Sequence, residues 1–246
     1  MQTPDGATMI ARFRAARADE RWAVLEGLHA IKHAIRFGAA IDLVIAHDTG
    51  AVGRLAEQLA PDTATRLTDM MRAVDRATFD QLSPTPPETG VIAIAARPAH
   101  SEAALPRSGP IVLLESPAHH GNIGAAIRVA AAAGAAALVT TGTIDPWNPG
   151  VLRGSAGLHF ALPVWRAETI SFPGRTMIAL DPDGEALAPS SIPDHAVVAF
   201  GSERTGLSRE LLARADLRMR IPMEPGVSSL NLATAVAVVL YARKLA

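Results

Sequence analysis

The sequence predicts an α/β protein whose second half is a mostly parallel sheet covered by helices on both faces. The stretch from Ile111 to Thr141, IVLLESPAHHGNIGAAIRVAAAAGAAALVTT, reads as a buried strand, a loop, an alanine-rich helix stopped by Gly134 and a second buried strand, which is a β-α-β unit. Beyond it, short continuous apolar runs alternate with helical patterns, and strands apolar on both faces belong to parallel sheets. Ahead of it, ARPAHSEAALPRSGP (96–110) carries three prolines and no apolar period, so it reads as the linker between two domains, 1–100 and 108–246.

In chain order, residues 1–22 form an arm in which Arg14, Arg17 and Arg21 share a helical face by their spacing of three and four, either a solvated face or one that meets phosphate. Leu28, Ile31 and Ile35 give the next helix its apolar stripe and Gly38 stops it; Ile41 to His47 is a strand. Helical patterns follow at Val52 to Leu59 and Asp69 to Arg76, and Gly90 to Ala96 is a buried strand entered through the turn chemistry of SPTPPETG. In the second domain come a strand (Ile111 to Leu114), a helix (Ile123 to Ala133), a strand (Ala135 to Thr140) and a glycine-rich segment. Strands follow at Leu162 to Trp165, Thr176 to Leu180 and Ala196 to Phe200, then a helix (Arg209 to Ala215), a short strand (Leu217 to Ile221) and a last helix (Leu232 to Leu245). That helix is apolar nearly all round, so it is expected to be buried on every face.

Composition narrows the function classes. The 246 residues can bury a real core, and 49% hydrophobic with 19% charged is globular. There is no cysteine, hence no disulfide and no thiolate metal site. No apolar run reaches membrane-spanning length and MQTPDGATMIARFR lacks a signal-peptide core, so a soluble cytoplasmic protein is expected. The net charge of −1 gives nucleic-acid binding no support by itself, yet only Lys32 and Lys244 are lysines and arginine is the better bidentate phosphate ligand. Ten aromatic residues are too few for a surface built on stacked bases.

Arg128 is the single charge between Asn122 and Gly134. Its alanine and valine neighbours imply a helix face lying against other protein, where a guanidinium needs an anionic partner. That partner is a structural carboxylate or a ligand. Asn122 sits where a helix N-cap belongs, and Gly121 and Gly124 permit close approach to the backbone. A dinucleotide loop does not fit, because G-N-I-G is not G-x-G-x-x-G and no acid closes the following strand.

In a parallel sheet the ligand lies beyond the carboxyl ends of the strands. That rule selects Gly201-Ser202-Glu203-Arg204-Thr205-Gly206-Leu207 and Pro222-Met223-Glu224-Pro225-Gly226-Val227-Ser228-Ser229-Leu230-Asn231. Ordinary N-capping accounts for one of Ser228, Ser229 and Asn231 and leaves the other two unexplained.

Asn122-Ile-Gly124-Ala-Ala-Ile-Arg128, then Gly201-Ser-Glu203-Arg-Thr-Gly206-Leu207, then Ile221-Pro222-Met223 with Ser229-Leu230-Asn231 resemble the three successive motifs of the SpoU (TrmH-like) RNA 2′-O-ribose methyltransferases. Asp145-Pro146-Trp-Asn-Pro149 to Arg153-Gly-Ser155-Ala-Gly157 is similar to the family's connecting piece. Val24-Leu-Glu26-Gly27-Leu-His29 to Thr89-Gly90-Val-Ile-Ala-Ile resembles the L30e-like substrate-binding domain often placed ahead of it. The resemblance implies a SPOUT domain with a trefoil knot, which periodicity cannot suggest because threaded chains are nearly absent from folded proteins. It implies S-adenosylmethionine as cofactor, a homodimer, and RNA as partner, ribosomal RNA favoured over tRNA by the two-domain layout. By position Gly201, Ile221 and Leu230 frame the cofactor, with Thr141, Gly142 and Met223 nearby. The catalytic set is Arg128, Asn122, Glu203, Ser229 and Asn231, and Arg14, Arg17, Arg21 and Arg153 are the RNA-contacting candidates.

A guanidinium is essentially never deprotonated, so Arg128 is expected to grip the phosphate beside the target ribose and stabilise alkoxide charge, the proton leaving to that phosphate or to water. Asn122 orients the ribose or Arg128, Glu203 sets the loop or holds Arg128, and Ser229 and Asn231 complete the pocket. Where many relatives carry Asp-Pro, this chain has His119-His120, either a plain loop or a base that titrates near neutral pH. A metal site is not expected, since Glu115 is the single nearby carboxylate. The competing functional reading is a non-catalytic RNA-binding or ribosome-associated protein of the same fold.

Overall fold

The computed structural model describes residues 6–100, 105, 106, 108–188 and 192–245; Met1 to Asp5 of the arm and 101–104 and 107 of the linker lie outside these. Two compact units emerge, 1–99 with 156–161, and 100–155 with 162–246. Ala156 to Ala161, on the second-domain side of the expected linker, therefore belongs with the first unit. There Gly157 (φ 76°) lies so close to Ala30 that a Cβ would come within 2.6 Å of its carbonyl oxygen.

The first unit runs α1 (Gly6–Ala18), β1 (Trp22–Glu26), α2 (Leu28–Arg36), β2 (Ile41–Ala46), α3 (Thr49–Leu59), α4 (Pro61–Met70), β3 (Met71–Ala73), α5 (Arg76–Asp80) and β4 (Val91–Ala96). The sheet order is β1-β4-β2-β3, antiparallel except where β3 joins β2. Phe13, Ile45, Phe79, Ile92 and Ile94 form its core. The helix expected over Asp69 to Arg76 does not exist. Met71–Ala73 completes the edge of β2 instead, and Asp75 caps α5 by accepting from the Thr78 N–H at 2.9 Å, the role a short acidic side chain favours over a helix interior.

The second unit runs β5 (Ile111–Leu114), α6 (His120–Ala133), β6 (Ala137–Thr140), α7 (Pro149–Gly154), β7 (Val164–Arg166), β8 (Met177–Ala186), β9 (Val197–Phe200), α8 (Arg209–Arg214), β10 (Leu217–Arg220) and α9 (Leu232–Lys244). Its six strands are ordered β10-β8-β9-β5-β6-β7, and every pair is parallel. Strands β5, β6 and β9 are buried at every residue, as continuous apolar runs require. Leu114 aligns with both Thr140 and Phe200, so three carboxyl ends are level. From β5 the chain builds outward to β6 and β7, then returns to build β8, β9 and β10 on the other side. The strand order thus reverses at β5 and β9, where α/β sheets open a crevice.

Differences from expectation are local. Strand β8 continues past Leu180 through Asp181-Pro182-Asp183-Gly184, because β10 pairs along it with a register shift between Arg218 and Met219. Helix α7 occupies part of the glycine-rich segment, capped by Asn148 onto the Gly150 N–H at 2.9 Å. Helix α9 is not buried all round: Val238 and Tyr241 are each 37% exposed, and Leu245 just past its end is 82% exposed. No helix among the described residues is long and apolar enough to cross a membrane, and no group of three or more His, Asp or Glu there could hold a metal ion.

Candidate functional site

Beyond the carboxyl ends of the sheet, the start of α6, the loop after β9 and the loop entering α9 are joined by one line of hydrogen bonds. Asn231 caps α9, its Oδ1 accepting from the N–H groups of Ala233 (3.0 Å) and Thr234 (3.3 Å). Its Nδ2 donates to Asn122 Oδ1 at 2.9 Å, and Asn122 Nδ2 donates to Glu203 Oε1 at 2.6 Å. The Ala118 N–H donates to the other oxygen, Glu203 Oε2, at 2.9 Å. Both ends fix the direction of this relay. A helix N-terminus offers only donors and a carboxylate only accepts, so each amide between them has one satisfied orientation.

Burial alone raises the Glu203 carboxyl, but the hydrogen bonds from Asn122 and Ala118 outweigh it and hold the group below the usual carboxylate range. Glu203 is therefore an anionic anchor at neutral pH. Asn122 is not the N-cap of α6. His119 occupies that position, without a side-chain bond to the helix, and Asn122 is the third helical residue. A capping side chain must fold back onto its own helix, whereas that of Asn122 is committed to Glu203 and Asn231.

Two glycines make this approach possible. At Gly201 a Cβ would fall 2.1 Å from the Gly206 carbonyl carbon, and the Ser202 and Gly206 backbones exchange two 3.1 Å hydrogen bonds, so the loop is a narrow hairpin presenting Glu203. At Gly124 a Cβ would lie 2.6 Å from the Val151 carbonyl oxygen, which is how α6 packs directly on α7. Gly121 meets nothing within 4 Å of a Cβ position, contrary to the close approach expected there.

Two clefts adjoin beside the relay, sharing Leu180, Ser229, Leu230 and Ala235. One is lined by His119, Asn122, Gly201, Ser202, Glu203, Ser229 and Asn231 over a floor of Leu180 and Phe200. The other, an open cleft with a cavity volume of about 110 Å³, is walled by Leu180, Asp181, Ile221, Met223, Ser228 and Leu230. Its one basic group, Arg220, is turned onto the Gly184 carbonyl oxygen at 2.7 Å.

The structure thus gathers Asn122, Glu203, Ser229, Asn231, Gly201, Ile221, Met223 and Leu230 around one site. Thr141 and Gly142 follow β6 and line neither cleft; Thr141 Oγ1 accepts from the Ser116 N–H at 3.0 Å. Arg128 is exposed and lines neither cleft, a correction to the packed face expected for it, and among the described residues it has no ion-pair partner. Six residues, about one and two-thirds turns at 100° per residue, place it about a third of the way around α6 from Asn122. Arg153 is exposed on α7.

In the first unit, Arg14, Arg17 and Arg21 do not share a helix face. Helix α1 ends at Ala18; Arg17 points inward to Glu26 (3.0 Å) and the Leu82 carbonyl oxygen (2.8 Å), and Arg21 folds onto Asp19. Sequence reasoning missed Leu180 and Asp181 as site residues, whereas Ser202 lies in the loop it selects. The parallel-sheet rule could have found Leu180 and Asp181, because they follow the apolar run of β8.

A sequence profile described as the SpoU rRNA Methylase family matches residues 109–241. The 23S rRNA (adenosine(1067)-2'-O)-methyltransferase of Streptomyces laurentii is 34% identical over 148 residues, 55% of this chain and 54% of that protein. RlmP of Bacillus subtilis, a 23S rRNA (guanosine(2553)-2'-O)-methyltransferase, is 28% identical over 226 residues, 89% of this chain and 86% of that one. An AdoMet-bound rRNA methyltransferase from Sinorhizobium meliloti superposes with a TM-score of 0.75 at 25% identity, covering 98% of this chain and 94% of that one. The chain spans about half the length of several curated relatives it matches.

Proposed function

Because this chain belongs to the SpoU rRNA methylase family, we propose that it transfers a methyl group from S-adenosylmethionine to a ribose 2′-hydroxyl of structured RNA, ribosomal RNA rather than tRNA. The observation that carries the reading is the Glu203–Asn122–Asn231 relay, which ties three loops together along one cleft, beside a second, mostly apolar cleft that shares Leu180, Ser229 and Leu230 with it. Ile221, Met223, Leu230 and Leu180 suit an adenine ring. Arg220, the one basic group of that wall, is engaged with the Gly184 carbonyl oxygen at 2.7 Å. When bound, the cofactor supplies an electrophilic methyl group. The relay, with Ser229 beside it, positions the ribose for in-line attack, and holding two reactants in register is a large part of the acceleration.

Arg128 grips the phosphate next to the target ribose. Since it stands outside the cleft of its own chain, we infer that it serves the cleft of a second copy, and that the exposed Val238 and Tyr241 of α9, with Leu245 just past its end, are covered in that homodimer. The first unit is the L30e-like RNA-binding domain, in which the exposed Arg14 meets the RNA backbone while Arg17 and Arg21 hold structure, and Arg153 of the second unit is a further RNA contact. The carboxyl-terminal segment is threaded as the family's knot, and the enzyme works in the cytoplasm.

The test is calorimetric titration with S-adenosylmethionine, followed by transfer of labelled methyl to ribosomal RNA and mapping of the modified ribose. Binding with transfer to a 2′-oxygen is expected. Binding of RNA without methyl transfer would instead mark a non-catalytic RNA-binding protein.

A further inference from the structure

The hydroxyl that attacks must lose its proton, and few groups in the cleft can take it. Asn122, Asn231, Ser202 and Ser229 are not bases at neutral pH, and a guanidinium stays protonated. Glu203 has both carboxylate oxygens occupied, by Asn122 and by the Ala118 N–H. Those bonds hold it below the ordinary carboxylate range, which makes it a poor proton acceptor. Among the described residues lining this cleft, the one other titratable side chain is His119.

Resting on the methyl-transfer reading above, we propose that His119 is the base that accepts the ribose 2′-hydroxyl proton. Its position suits the role. It stands at the N-cap of α6, yet its side chain makes no capping bond and is free to face the cleft. The charged groups on the elements around it are Glu203 and Arg204 on the loop after β9, His120 and Arg128 on α6, and Arg153 on α7. Of these, Glu203 interacts electrostatically with it. An imidazolium at a helix N-terminus is opposed by the helix dipole, and the Glu203 carboxylate offsets that cost once the proton has arrived. As the 2′-oxygen bonds to the methyl carbon, the carbon–sulfur bond breaks to leave a neutral thioether. The hydroxyl proton passes to a ring nitrogen of His119, which later releases it to water. His120 lies beside Gly150 of α7 and lines neither cleft, so it is excluded from this role.

The experiment compares single-turnover methyl transfer to ribosomal RNA from about pH 6 to 9 for the wild type, H119A, H119G and H120A, with calorimetric S-adenosylmethionine binding as the folding control. His119→Ala is expected to slow transfer about 10²-fold and to abolish the rise of rate with pH, leaving cofactor affinity unchanged. Added imidazole is expected to restore rate to H119G, and H120A to follow the wild type. An active wild type matched by H119A in rate and pH profile overturns the assignment alone. A wild type that binds the cofactor and methylates no RNA overturns the methyl-transfer reading, and this assignment with it.

Discussion

Asn122 shows what a single side chain contributes here and why its role is hard to read in one dimension. Its two hydrogen-bond partners lie 81 and 109 residues further along the chain, so only the folded sheet brings them together. Asn122, Glu203 and Asn231 all stand out in the sequence, but there Asn122 fits either a helix cap or a group that orients the ribose or Arg128, because local spacing suggests only local bonds. Replacing Asn122 by Asp sets a carboxylate 2.6 Å from Glu203. Two such groups cannot both ionise, so one of the pair is pushed up in pKa. The N122D enzyme is therefore expected to lose at least about tenfold in transfer rate at neutral pH, with partial recovery as pH falls and one carboxyl protonates; rate profiles of wild type and variant check this. Glu203 also sets a stability trend. Its carboxyl lies below its ordinary value of 4.5 in the folded state, so the stabilisation is complete above that value and is lost as pH falls through the lower, folded one. Urea midpoints of wild type and E203Q are expected to differ at neutral pH and to converge in acid.

Among the elements, the strands of the second unit were legible wherever they are buried on both faces, since β5, β6 and β9 are uninterrupted apolar runs. The second half of β8 was not. Asp181-Pro182-Asp183-Gly184 has the composition of a turn, and its strand character comes from pairing with β10 across a register shift. The glycines that seat the site were visible in the sequence, but their reasons were not. Gly124 is needed because α7 presses its backbone against α6 there. A methyl group at that point must move the Val151 carbonyl, part of a helix that cannot easily yield. Gly124→Ala is expected to cost about 1–3 kcal/mol in chemical denaturation, whereas Gly121→Ala, with open space around its Cβ position, leaves the midpoint unchanged or raises it.

For the whole molecule, the parallel class of the second unit and its ligand edge followed from the alternation of strands and helices, while strand order and the membership of Ala156 to Ala161 in the first unit depend on contacts distant in sequence. The sharpest consequence concerns Arg128. A monomer leaves this guanidinium exposed on α6, away from the cleft that Asn122 and Asn231 help to line. If the apolar stripe of α9 is covered by a second copy, each site is assembled from one chain's relay and the other chain's arginine. R128A and N231A homodimers are then both inactive, since every site lacks one component. Mixed, dissociated and reassembled, they form heterodimers in which one site carries both defects and the other carries neither. Methyl transfer is expected to reappear in the mixture, approaching about a quarter of the wild-type rate for random reassembly. Arginine acting within its own chain predicts the opposite, because each heterodimer site would then retain exactly one defect and the mixture would stay inactive. Light scattering on the same samples separates failure to reassemble from failure to complement.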